Sequence, residues 1–85
     1  MSLDEQFAAA QARVKALPAR PGNDVLLQLY GLYKQASAGD VQGARPGIMD
    51  FAGRAKFDAW AALKGMAADD AKTRYIALVD RLAGG

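Results

Sequence analysis

Eighty-five residues at 9.0 kDa is the size of one small domain, near the lower limit at which a hydrophobic core holds without disulfides or metals. With no cysteine and no histidine, the chain excludes a disulfide framework, a thiolate or imidazole metal site and any catalytic triad built on those groups, and 52% apolar with 24% charged residues is not the composition of a disordered chain. Eleven Lys and Arg against nine Asp and Glu leave a net charge of +2, too mild to single out nucleic acid but sufficient to place a few cations around a small anion.

Alanine is abundant and β-branched residues are sparse, so propensity favours helix almost throughout. The spacing predicts four helices. The first runs from about Leu3 to Ala16. Ser2 and Glu5 form a capping-box pattern, and Leu3, Phe7, Ala10, Val14 and Leu17 make its apolar stripe. Pro18 stops it, and Pro21-Gly22 turns the chain. The second runs from about Asp24 to Ala38, with Asn23 expected as N-cap and Gly39 just past its end. It is apolar on two faces: Val25, Leu29, Leu32 and Ala36 on one, Leu26, Tyr30, Tyr33 and Ser37 on the other. A helix with two such faces must meet both a core and something else.

Gly39 to Asp50 is a long connection broken by glycines and a proline. Its Val41, Ile48 and Met49 are expected to pack down onto the domain as an ordered crossover. The third helix is expected from about Ala52 to Lys64, with Asp50 near its N-cap, Gly65 at its end and Phe57 and Trp60 in the core. Ala55, Ala59 and Ala62 give it a small-residue face that permits close helix approach. The fourth runs from about Ala68 to Leu82. Asp69 and Asp70 suit its first turn, Arg81 its last, and Ala71, Tyr75, Leu78 and Leu82 share its buried face. The apolar runs are far shorter than the ~20 residues that cross a bilayer. The acidic start Met1-Ser-Leu-Asp-Glu5 is unlike a signal peptide, so the expected compartment is the cytosol.

Tyr30, Tyr33 and Lys34 are neighbours on one helix, with Gly31 among them. A glycine there costs about 1 kcal/mol relative to alanine, so close packing or a ligand against bare backbone must offset it. Two readings fit this run: core tyrosines with a snorkelling lysine, or the grip of a ligand. Arg54 and Lys56 beside the start of the third helix fit either surface solubility or an anion site, and Arg13 and Lys15 read the same way. Tyr75 fits a core residue with its hydroxyl at the rim. Ser2, Ser37 and Thr73 have no histidine to activate them, Asp69 and Asp70 point apart on a helix, and no phosphate-loop pattern occurs. No enzymatic activity and no metal site are expected. Besides ligand binding, the residues leave open a small helical protein-interaction module using the aromatic face of the second helix, and a weak nucleic-acid binder.

Two long runs resemble the signature of the acyl-CoA-binding protein family: Tyr30-Gly-Leu-Tyr-Lys-Gln-Ala-Ser-Ala-Gly-Asp40, and Arg45-Pro-Gly-Ile-Met-Asp-Phe-Ala-Gly-Arg-Ala-Lys-Phe-Asp-Ala-Trp-Ala-Ala-Leu-Lys-Gly65. Their separation fits, as do Phe7 and Tyr75, and the resemblance covers the whole chain as a single domain, residues 1–85. It implies an all-α, four-helix up-down-down-up bundle with a long connection between helices 2 and 3. It also implies non-catalytic binding of medium- and long-chain fatty acyl-CoA, an intracellular carrier and pool buffer, with acyl-CoA as ligand and no cofactor. The family pattern assigns ligand contacts to Lys15, Tyr30, Tyr33, Lys34, Lys56 and Tyr75. Gly31, Leu32 and Arg54 are additional candidates. Phe7, Ala10, Val14, Leu26 and Leu27 are the expected walls of an acyl groove between the first and second helices. One family lysine is replaced by Ala52, with Arg54 as its expected partial substitute. The implied partners are long-chain acyl-CoA and, transiently, enzymes that use it. A monomer is expected, with no nucleic acid and no stable membrane insertion.

Overall fold

The computed structural model describes residues 1–84. Its elements are α1 (Leu3–Lys15), α2 (Asn23–Ala38), α3 (Phe51–Ala61) and α4 (Ala68–Gly84). Side-chain contacts fix their directions. Asp4 meets Lys72 and Arg13 meets Asp80, so α1 and α4 run parallel. Lys56 lies over Tyr30 and Lys34 over Trp60, so α2 and α3 also run parallel. Gln35, near the end of α2, reaches Met66 just before α4, so α4 opposes α2. The result is an all-α, up-down-down-up bundle.

The capping box forms as expected: Ser2 Oγ accepts from the Glu5 amide at 3.1 Å and Glu5 Oε1 from the Ser2 amide at 3.2 Å. This holds the Glu5 carboxyl below the usual carboxylate range, chiefly through the bonds with Ser2. At the other end of α1 the Ala16 and Leu17 amides tighten onto Arg13 and Val14 carbonyls before Pro18. The N-cap of α2 is Gly22 and not Asn23. Gly22 is itself extended, yet its carbonyl already accepts from the Leu26 amide at 3.0 Å, so the helical ladder starts one residue early and Asn23 is inside it. Gly39 closes α2 at φ 79°, a conformation that favours glycine.

The core joins Phe7 and Ala10 of α1, Leu29, Leu32 and Ala36 of α2, and Ala71, Tyr75, Leu78 and Val79 of α4. Helix α3 contributes no buried residue. Phe57 and Trp60, expected in the core, are only half-buried, because α3 packs on α2 alone and not on α4. It is also shorter than expected. After Ala61 the Leu63 and Lys64 amides bond three residues back, to Trp60 and Ala61, and the chain tightens into turns through Gly65.

The long connection does not pack down through its apolar residues. Ile48 and Met49 are 71% and 81% exposed, and Phe51 is 72% exposed; Val41 and Pro46 are half-buried. Polar bonds hold the segment instead. Arg45 grips Asp58 with two bonds of 3.0 and 2.7 Å, and the Asp50 amide donates to Gly47 at 2.9 Å. Asp50 then caps α3, accepting from the Gly53 amide at 3.0 Å.

Gly31 is where α2 and α3 touch most closely. A Cβ there would lie 2.7 Å from the Ala59 carbonyl oxygen and 3.4 Å from Leu63 Cδ1. Close packing therefore accounts for this glycine, matched by the small-residue face of α3. At the same end of α2, the buried Gln35 side chain donates to Asp40 Oδ1 at 2.9 Å and to the Met66 carbonyl at 2.8 Å. Asp40 Oδ1 also accepts from the Gly65 amide at 2.8 Å, and Trp60 Nε1 donates to the Gly39 carbonyl at 2.7 Å. These bonds clamp the end of α2 to the turn between α3 and α4. The Gly65 amide, then Gln35, holds the Asp40 carboxyl below the usual range.

Two outcomes test this packing. Gly31→Ala gains about 1 kcal/mol of helix propensity but meets an immovable carbonyl, a clash worth about 1–3 kcal/mol. Urea unfolding should show a net loss of stability, and an equal or higher stability would contradict the close approach. Because the folded pKa of Asp40 is depressed, its contribution is present above its unfolded value of about 3.9 and is lost as pH falls through the folded value. Asp40→Asn should therefore narrow the difference in melting temperature between neutral and acid pH; an unchanged difference would remove Asp40 from the clamp.

Candidate functional site

The parallel pairing of α2 and α3 places two lysine–aromatic contacts in succession. Lys56 Nζ of α3 lies 5.6 Å from the ring centroid of Tyr30 on α2. One turn on, Lys34 Nζ of α2 lies 4.8 Å from the Trp60 ring of α3. The order alternates: aromatic on α2 with lysine on α3, then lysine on α2 with aromatic on α3. Each contact is worth about 0.5–1 kcal/mol at a partly exposed site. Neither lysine is in an ion pair among the described residues, where the paired cations are Arg13, Arg45 and Lys72. Two ammonium groups thus sit on aromatic faces with their charge unneutralised, an arrangement suited to phosphate.

A hollow of about 350 Å³ opens beside Tyr30 and Lys56. Leu26 and Leu27 of α2 and Ala52 and Ala55 of α3 form its apolar walls, and Arg20 and Asn23 stand at the start of α2. Ala52, the position where the resemblance implies a lysine, lines the hollow. Arg54, the expected partial substitute, is not among the residues that line it; it lies close enough to Asp58 to help hold that carboxyl low, after Arg45. Arg20 is the second cation of the hollow. Its only sequence signal was a position in the Pro18–Pro21 turn directly before α2.

A second cluster joins α1, α2 and α4. The Phe7 ring stacks against Tyr33 at 6.3 Å and meets Tyr75 edge-on at 5.1 Å. Tyr33 is exposed on its outer side, whereas Tyr75 is buried. Burial, with Tyr33 adding to it, pushes the Tyr75 hydroxyl above its ordinary pKa, so it stays protonated and able to donate. The α1 and α2 backbones nowhere approach within 8 Å among the described residues, although both pack on α4. The Phe7–Tyr33 stack spans the distance between them.

The structure therefore brings Tyr30, Lys34 and Lys56 together along α2 and α3, and Tyr33 and Tyr75 together around Phe7. Lys15 is exposed on the last turn of α1, in neither cluster. Gly31 and Leu32 are buried by helix packing, Ala10 lies in the core, and Val14 is half-buried against it. Leu26 and Leu27, expected as walls of a groove between the first and second helices, line the hollow between α2 and α3. Trp60 was missed as a partner of Lys34. The signal was available: Lys56 and Trp60 are four residues apart, as are Tyr30 and Lys34. Among the described residues no cluster of acidic side chains could hold a metal ion, and no helix is long and apolar enough to cross a membrane.

Comparison with known proteins gives a consistent result. Residues 4–79 match the family profile described as "Acyl CoA binding protein". The chain is 51% identical over 83 residues to an acyl-CoA-binding protein homolog of Manduca sexta, covering 96% of this chain and 92% of that protein. It is 48% identical over 82 residues to the acyl-CoA-binding protein of Brassica napus, covering 96% and 89%. Among solved structures, acyl-CoA-binding protein 2 of Oryza sativa superposes with a TM-score of 0.90 at 42% identity, covering 95% of this chain and 90% of that one.

Proposed function

The chain belongs to the acyl-CoA-binding protein family, and we propose that it binds medium- and long-chain fatty acyl-CoA esters without chemical change, as a monomeric cytoplasmic carrier and buffer. The observation that supports this most strongly is the pair of uncompensated lysines, Lys34 and Lys56, set on the Trp60 and Tyr30 rings beside apolar walls.

Coenzyme A carries a ribose 3′-phosphate and a pyrophosphate. Lys34 and Lys56 meet these groups with charge-assisted bonds, each worth about 1.5–3 kcal/mol net. Tyr30 offers a face to the adenine, where comparable stacking contributes about 1–3 kcal/mol. Tyr33 and the protonated Tyr75 hydroxyl serve the phosphate region from the other cluster, and Arg20 supplies a further positive charge at the hollow. The fatty chain follows apolar surface: Leu26 and Leu27 on one side, the Phe7 and Val14 side of α1 on the other. Each methylene taken out of water contributes about 0.8 kcal/mol, so the tail supplies most of the gross binding energy before ordering costs. Lys15, at the edge, adds long-range attraction only. No residue of the site acts as a nucleophile or base toward the thioester, and no cofactor takes part.

Tyr30→Ala and Lys34→Ala should each weaken palmitoyl-CoA binding at least tenfold by calorimetry while the helical circular-dichroism signal persists. Unchanged affinity in both would defeat the site assignment. Raising salt should weaken the parent protein more than Lys34→Ala, since only charges are screened. Single-stranded DNA should give no heat, and the thioester should survive incubation; loss of thioester would indicate an enzyme.

A further inference from the structure

α2, α3 and α4 enclose a second hollow of about 580 Å³, larger than the one beside Tyr30. It opens on another side of α2: at about 100° per residue, Gln28 and Leu32 project nearly opposite to Leu26, Leu27 and Tyr30. Leu32, Leu63 and Leu78 form its floor. Ala62 and Ala77 are exposed low walls, over which another backbone can come close. Arg74 and Arg81 stand along the α4 rim. They are seven residues apart, about 10 Å along the helix axis. Neither is in an ion pair among the described residues. Acyl-CoA binding as proposed above uses none of the residues that line this hollow.

We propose that this groove docks an acidic amphipathic helix of a partner protein. An apolar trough with small-residue walls is the receiving half of helix-in-groove recognition, where leucine-type anchors at helical spacing fill the floor. The two guanidinium groups set the register. Carboxylates seven residues apart on a docked helix recur at the same axial distance and on the same face, so both can be met at once. Arginine's planar fork suits such paired carboxylates better than a point charge does. The arginines border a concavity instead of projecting from a convex surface, which favours an inserted helix over a flat anionic membrane. Because the groove and the acyl-CoA site share no exposed residue, the partner engages the loaded carrier.

The test is a titration of the full-length, isotope-labelled protein, both free and loaded with palmitoyl-CoA, followed by NMR. The probe is a synthetic amphipathic peptide of about four turns, with leucines on one stripe and two glutamates seven positions apart. A second peptide carries lysines at those two positions. The glutamate peptide should shift the amides of Ala59, Leu63, Ala77 and Leu78 with micromolar affinity, bind at least tenfold more tightly than the lysine peptide, and leave palmitoyl-CoA bound. The doubly substituted Arg74→Glu, Arg81→Glu protein should reverse the peptide preference while binding palmitoyl-CoA as before. Equal response to the two peptides, shifts mapping elsewhere, an unreversed preference, displacement of palmitoyl-CoA or self-association through this face would each overturn the proposal. Failure of palmitoyl-CoA binding with intact peptide binding would count against the function above and not against this groove.

Discussion

The close parallel contact of α2 and α3 is the constraint on which the rest depends. A bare glycine backbone at Gly31 lies against the Ala59 carbonyl, and no side chain separates the two helices there. Parallel direction and close approach together set the register, bringing Tyr30 beneath Lys56 and Lys34 over Trp60. With the helices antiparallel, or held apart by one methyl group, two lysines and two aromatic rings would be scattered over the surface. Packing geometry thus converts an ordinary surface composition into a site with two concentrated, unpaired positive charges.

Helix α4 does the opposite work. It packs on both α1 and α2, and its buried Tyr75 sits under Phe7, yet it leaves the other two helices apart. The result is a gap between α1 and α2 that the Phe7–Tyr33 stack bridges. The polar clamp of Gln35, Asp40, Met66 and Gly65 supports an α3 that is half-buried along one face and has no fully buried residue. It ties the α3–α4 turn to α2 by hydrogen bonds, beside the apolar contacts that Leu63 and Met66 make with the core. The exposed ion pairs Arg13–Asp80 and Asp4–Lys72 align α1 with α4 but add little stability in water.

What was legible in the sequence was local or periodic. The Ser2–Glu5 box, the stripes of α1 and α4, the Asp50 cap and the small-residue face of α3 all follow from spacing alone. What was not legible depends on distant partners. Gln35 and Met66 are 31 residues apart, and no periodicity announces that a glutamine will be buried to serve such a bond. Apolar character alone does not say whether Ile48 and Met49 face a core or water; here Pro46, Gly47 and the Arg45–Asp58 bonds carry the chain past the surface without seating them. The same limit hid Arg20, whose turn is brought to the hollow only by the way α2 leaves Pro21.

The central claim is a division of labour, with an apolar surface sheltering the tail while Lys34, Lys56 and their aromatic seats hold the charged head. Calorimetry of free coenzyme A and of its esters with progressively longer saturated chains measures both halves at once. The account predicts weak binding of coenzyme A alone, then a steep gain in affinity with chain length that levels off once the apolar surface is covered. Affinity independent of chain length, or no binding of long-chain esters, would contradict it.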